Sequence, residues 1–111
     1  FFNGPESFTP DLLFAIGEAP EIKNCFISAG YNSEGIEFGA GAGRALAEWI
    51  VNGSPTMDLS AVDIARFHPF QNNTNYLHDR IPEILGLHYK RHWPHYQKIT
   101  SSGVRKSKLH D

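Results

Sequence analysis

A mixed α/β fold follows from three features of this 111-residue sequence. Two apolar runs of strand length, Leu12-Leu13-Phe14-Ala15-Ile16 and Cys25-Phe26-Ile27-Ser28-Ala29, each end on a glycine, Gly17 or Gly30. A polar, glycine-punctuated turn, Gly30-Tyr31-Asn32-Ser33-Glu34-Gly35, follows the second run directly. Beyond it, Arg44-Ala45-Leu46-Ala47-Glu48-Trp49-Ile50-Val51 is rich in helix formers, with Leu46, Trp49 and Ile50 at helical spacing. Taken alone, so short a chain is an α+β unit.

The elements can be justified in order. Asn3-Gly4-Pro5 and Thr9-Pro10-Asp11 are turn chemistry, and Ser7-Phe8 between them is at best a short strand. The run 12–16 is a strand, Glu18-Ala19-Pro20-Glu21 an acidic loop, and the run 25–29 a buried strand. Asn52-Gly53 supplies a helix stop. Ser54 to Leu59 is a connector, and Asp63 to Phe67 a single helical turn capped from Ser60. Asn73 or Thr74 caps a helix through Tyr76, Leu77, Arg80, Ile81, Ile84 and Leu85. Pro82 costs about 3 kcal/mol inside a regular helix, so a kink or restart is expected there. From His92 onward the chain reads as extended or irregular.

Glycines at 35, 39, 41 and 43 precede the helix, and each disfavours helix by about 1 kcal/mol relative to alanine. The compensation is close approach, because a backbone without Cβ can lie against a flat ligand or a neighbouring element. Two readings stay open: tight helix–sheet packing, or a helix N-terminus facing a cofactor carbonyl or anion. The spacing fits neither a dinucleotide fingerprint nor a P-loop, since Arg44 and Leu46 fall where the third glycine belongs and no Gly-Lys-Ser/Thr follows.

Composition narrows the function classes. Hydrophobic residues make up 41% and charged residues 20%, as in ordinary globular chains, and no apolar run approaches the roughly 20 residues of a membrane span. The single cysteine, Cys25, excludes an internal disulfide framework and a Cys-rich zinc site. A net charge of −2 argues against a general nucleic-acid binder, and no membrane partner is expected. That balance hides a split: residues 1–79 hold ten acids against three bases, residues 80–111 seven bases against two acids. Both ends look like cut edges, so a segment of a longer polypeptide is expected. His88 and His92 share a helical spacing, but packing or an interface role accounts for them better than a metal, and no metal site is expected. Glu34 and Glu37 suit a helix start electrostatically and are equally readable as acid–base groups.

Several stretches together resemble the sarcosine and dimethylglycine dehydrogenase-like FAD-dependent oxidoreductase family. They are Asn3-Gly4-Pro5-Glu6-Ser7-Phe8-Thr9-Pro10-Asp11, Ala29-Gly30-Tyr31-Asn32-Ser33-Glu34-Gly35-Ile36 with Gly39-Ala40-Gly41-Ala42-Gly43, Ala47-Glu48-Trp49-Ile50, Asp63-Ile64-Ala65-Arg66-Phe67 and Gly86-Leu87-His88-Tyr89. The resemblance implies that residues 1–60 form the C-terminal segment of an FAD-binding, Rossmann-like domain and that residues 61–111 begin the central domain. It implies that Gly30, Tyr31, Asn32, Ser33, Glu34, Gly35 and Ile36 bind FAD. No catalytic residue is expected in this chain. The implied reaction is oxidation of a small N-methyl amine of the amino-acid type, with hydride passing to FAD and the one-carbon unit to tetrahydrofolate in a region outside this chain. The electron acceptor is left open. The family also includes a regulatory subunit of pyruvate dehydrogenase phosphatase, a non-catalytic alternative on the same scaffold. A cytoplasmic location is expected, or the mitochondrial matrix for a eukaryotic source. Glu34, where relatives often carry a small residue, and the pair Glu37-Phe38 depart from the family pattern.

Overall fold

The computed structural model describes residues 1, 3–91, 94–100 and 109. Strands β1 (Ala15–Glu18) and β2 (Phe26–Ala29) are followed by helix α1 (Gly35–Asn52), two 3₁₀ turns (Ile64–Arg66 and Pro69–Gln71) and helix α2 (Thr74–Leu87). The strands pair antiparallel, with Ala15 opposite Ala29 and Glu18 opposite Phe26. The arrangement is a small mixed α/β one, and among the described residues the sheet has two strands.

The core lies where α1 crosses this sheet. Ile16 of β1 is 1% exposed and packs with Ala42, Ala45 and Leu59, flanked by Phe14, Tyr31, Leu46, Trp49 and Val62. Alanines on the inner face of α1 let its backbone come close, and Trp49 fills the remaining space. That indole explains Gly17. A Cβ there would lie 2.9 Å from a ring carbon of Trp49, and the backbone sits at φ +127°. The other edge of β1 is also engaged, because Ile16 N–H donates to Val62 O at 2.9 Å in a parallel bridge. The helix ends as the sequence predicts, with Gly53 left-handed at φ 76° and its N–H returning to Trp49 O.

Several local expectations are corrected. Residues 12–14 are not strand: Leu12 turns left-handed at φ 67°, and the strand begins only at Ala15. The Leu13 carbonyl instead accepts from the Thr9 hydroxyl at 2.9 Å and from Arg66 Nη2 at 2.7 Å. Ser7-Phe8 is irregular for the same kind of reason, since the Ser7 carbonyl is bonded to the turn after β2. β2 is half-exposed rather than buried, with Ser28 and Ala29 in solvent. Helix α1 takes in all four glycines, and a Cβ at Gly39, Gly41 or Gly43 would meet nothing within 4 Å. Close packing therefore explains Gly17 and not these three. Ile50 points outward. Asp63, not Ser60, caps the first 3₁₀ turn, accepting from Ala65 N–H at 2.8 Å, while Ser60 pairs with Asp58. Helix α2 runs unbroken through Pro82. Pro82 and His78 are both exposed, so the carbonyl that loses its intrahelical donor turns to water. Asn73 caps this helix as predicted, accepting from Tyr76 N–H at 3.1 Å. His92, Trp93 and the basic residues at 105, 106 and 108 lie outside the described residues.

The irregular segment from Ser7 to Leu13 ties these parts together. Asp11 takes a two-pronged ion pair from Arg66, with Nε at 2.8 Å and Nη2 at 3.1 Å. Burial pushes the Asp11 carboxyl up, but the Arg66 hydrogen bonds, the Leu13 N–H and the Arg66 charge hold it below its ordinary range. Arg80 of α2 reaches Pro10 O at 2.9 Å and pairs with Glu83 at 3.2 Å. Glu83 also accepts from Ile99 N–H at 2.7 Å, Thr100 N–H at 2.9 Å and the Thr100 hydroxyl. Burial raises its pKa, yet these donors and Arg80 outweigh burial and bring the carboxyl down to about 2. Glu83 thus ionises more readily folded than unfolded. Its stabilisation is complete above the ordinary carboxylate range and is lost as pH falls from there towards 2. Denaturation midpoints of the full-length polypeptide measured against pH should show this: Glu83→Gln lowers the midpoint at neutral pH and flattens its fall in acid. An unchanged acid limb would contradict the role given to Glu83.

Candidate functional site

The turn after β2 is organised by one side chain. Asn32 is 2% exposed and left-handed at φ 51°, a conformation that asparagine tolerates better than most residues. Its Oδ1 accepts from Thr9 N–H at 2.8 Å and lies 3.3 Å from the Thr9 hydroxyl oxygen. Its Nδ2 donates to Gly30 O at 2.7 Å and lies 3.2 Å from Thr9 Oγ1. The Asn32 backbone N–H donates to Ser7 O at 3.2 Å. Gly30 has no alternative here: at φ +70°, an added Cβ would fall 2.5 Å from Thr9 Cγ2.

Around this clamp the backbone turns into α1. Tyr31 stacks on Phe14 with ring centroids 5.1 Å apart, and its hydroxyl pairs with Ser28 Oγ at 2.6 Å. Ser33 is left-handed at φ 70°. Glu34 N–H returns to Tyr31 O at 2.8 Å, and the Glu34 carbonyl accepts from Glu37 and Phe38 N–H at 3.1 and 3.0 Å. The next two N–H groups, of Gly35 and Ile36, open the helix and have no intrahelical acceptor. They carry the positive end of its dipole.

These groups border a cleft of about 440 Å³. Six of the seven residues singled out from the sequence line it: Gly30, Tyr31, Asn32, Ser33, Gly35 and Ile36. Glu34 is exposed and lies outside the lining. The Asn32 side chain spends its hydrogen-bonding groups on Thr9 and Gly30, so it shapes the wall rather than presenting groups to a ligand. Pro5, Glu6 and Ser7 complete the lining, joined to the turn by the bond from Asn32 N–H to Ser7 O. In sequence Pro5 belongs to a turn and Ser7 to at best a short strand, and no local pattern shows that this segment is held to a residue more than 20 positions further along the chain. Among the described residues no group of three or more His, Cys, Asp or Glu side chains gathers as a metal site. His88 packs edge-on against Phe8 at 5.3 Å and Tyr89 at 4.3 Å.

The family model for the FAD dependent oxidoreductase central domain matches residues 52–107. The chain belongs to this FAD-dependent oxidoreductase family. It is 53% identical over 110 residues to a 4-methylaminobutanoate oxidase (formaldehyde-forming) of Paenarthrobacter nicotinovorans, covering 99% of the chain and 13% of that protein. It is 39% identical over 109 residues to mouse mitochondrial sarcosine dehydrogenase, covering 97% of the chain and 12% of that enzyme. It is 38% identical over 109 residues to the mouse mitochondrial pyruvate dehydrogenase phosphatase regulatory subunit, covering 98% of the chain and 12% of that protein. The chain thus spans about an eighth of the length of the curated relatives it matches. No solved structure matches it. Among the described residues no helix is long and apolar enough to cross a membrane.

The clamp makes a direct prediction. Asn32→Ala leaves the buried Thr9 N–H without an acceptor and should lower stability by about 1–3 kcal/mol. Denaturant titration of the full-length polypeptide measures this, and a midpoint equal to that of the unsubstituted protein would show the clamp to be dispensable.

Proposed function

We propose that this chain is part of a flavoprotein that oxidises small N-methylated amines of the amino-acid type, and that its turn from Gly30 to Ile36 forms part of the FAD site. The observation that carries the reading is a cleft wall with bare backbone at Gly35 beside two N–H groups without intrahelical acceptors. Kinship with an oxidase and a dehydrogenase of methylamino compounds supports the reaction class. On this reading residues 1–60 close a Rossmann-like FAD domain and residues 61–111 open the central domain, the latter supported by the family match over 52–107.

The residues present suit such a cofactor. A Cβ on Gly35 would touch only Tyr31, at an ordinary 3.6 Å, so the fold itself does not demand glycine there. What glycine provides is a wall that a flat ring can approach. FAD bound at the cleft supplies a two-electron acceptor for hydride from the N-methyl carbon. The N–H groups of Gly35 and Ile36, with the helix dipole behind them, stabilise negative charge that develops in front of them. Asn32 and Gly30 hold those donors in place through Thr9, and the exposed Ile36 side chain offers an apolar surface that excludes water. Transfer of the one-carbon unit to tetrahydrofolate falls to other parts of the polypeptide, and a mitochondrial location follows for a eukaryotic source.

Kinship with the phosphatase regulatory subunit supports a second reading, in which the scaffold serves an interaction role without amine oxidation. Anaerobic addition of an N-methyl amine to the flavin-loaded full-length polypeptide separates the two. Loss of the oxidised-flavin absorbance is expected for the enzyme, and a persistent spectrum assigns the chain to the regulatory role. The site has its own test. Gly35→Val should lower the flavin-to-protein ratio while leaving the circular dichroism spectrum unchanged; a full complement of flavin would remove this turn from the cofactor site.

A further inference from the structure

We propose that the Glu6 carboxylate is the counter-charge for the protonated amine of the substrate, making Glu6 the residue that selects cationic methylamines at this cleft. The inference rests on the flavoprotein reading above. Glu6 lines the same cleft as the start of α1, between Pro5 and Ser7. It is the one carboxylate in the lining, and no lysine, arginine or histidine lines the cleft with it.

Its position is built rather than incidental. The residue after it is pinned by the bond from Asn32 N–H to Ser7 O, and Thr9 is pinned through the Asn32 side chain. The residue before it is proline, whose ring fixes φ. The segment therefore cannot slide along the cleft without breaking contacts to a residue that is 2% exposed. Other acids nearby are differently placed: Glu34 and Glu37 flank the helix start but lie outside the lining. Among the described residues none donates a hydrogen bond or an ion pair to the Glu6 carboxylate, so its acceptor capacity is available to a ligand.

The two walls are thus of opposite character. The helix start offers N–H donors and suits an electron-rich group, while the Glu6 carboxylate in the same lining suits a cation. A secondary or tertiary amine of an N-methyl amino acid is such a cation at neutral pH. An exposed carboxylate in water would hold it weakly, but a cleft filled by cofactor and substrate excludes the water that screens the pair.

The test uses the full-length polypeptide purified with its flavin, titrated with ligands that perturb the flavin absorbance. The probes are 4-methylaminobutanoate and sarcosine, each set against the neutral thioether in which sulfur replaces the amine nitrogen. Glu6→Gln should weaken binding of both amines about tenfold or more, the scale of losing a partner in a desolvated charge pair, while leaving the thioethers and the flavin content unchanged. Glu6→Asp should recover part of the amine affinity. The proposal is overturned if amines and thioethers weaken together, or if neither changes. A wild-type polypeptide that carries no flavin would overturn the flavoprotein reading and this inference with it, whereas flavin-replete Glu6→Gln with unaltered amine binding overturns the inference alone.

Discussion

The hydrogen bonds between Asn32 and Thr9 are the constraint on which the rest of this architecture depends. Thr9 belongs to a segment without regular structure, and an irregular backbone can persist next to a core only if its polar groups find partners. Asn32 supplies them from the turn after β2, at the end of the sheet where Ala15 meets Ala29, and in doing so it adopts the left-handed conformation that turns β2 into α1. One residue therefore determines both where the loop sits and where the helix begins. Arg66 and Arg80 complete the attachment, the first through Asp11 and Leu13 O, the second through Pro10 O. The loop that bears Glu6 is held from three elements at once.

The fold was legible in the sequence wherever local chemistry decided the outcome. The second strand, the glycine turn, the left-handed Gly53 stop and the Asn73 cap all follow from residue types at short range. Misreadings arose where a distant group intervened. Leu12-Leu13-Phe14 has the composition of a strand, but Arg66 takes the Leu13 carbonyl and Leu12 turns left-handed. Helix propensity predicts a late start for α1, after the glycines, whereas the helix begins at Gly35, directly after the turn that Asn32 organises. Pro82 does not interrupt α2, because the turn before it is solvated. Of the candidate site, one wall was legible as a strand, glycine turn and helix start. The other wall depends on a pairing 23 residues apart, and no local pattern encodes it.

The division of charge along the chain also has a physical outcome. Arg80, the first base of the positive segment, does not face outward but bridges Pro10 O and Glu83, and Glu83 gathers Thr100 and Ile99. An acid–base pair within α2 thereby anchors the residues that follow the helix onto the loop that precedes the sheet. Part of the positive charge of residues 80–111 is therefore internal wiring of the fold.

The open glycine positions of α1 bear on the order in which the molecule assembles. A helix carrying four glycines in its first half nucleates poorly, because each widens the conformational freedom of the unfolded chain. Its second half, with Ala45, Leu46 and Trp49, has both better propensity and the contacts to the sheet. Helical structure in α1 should therefore grow from the C-terminal end towards the cleft. The turn at Gly35 is then the last part of the helix to become ordered and the first to fray, which couples the integrity of the cleft wall to whatever occupies it.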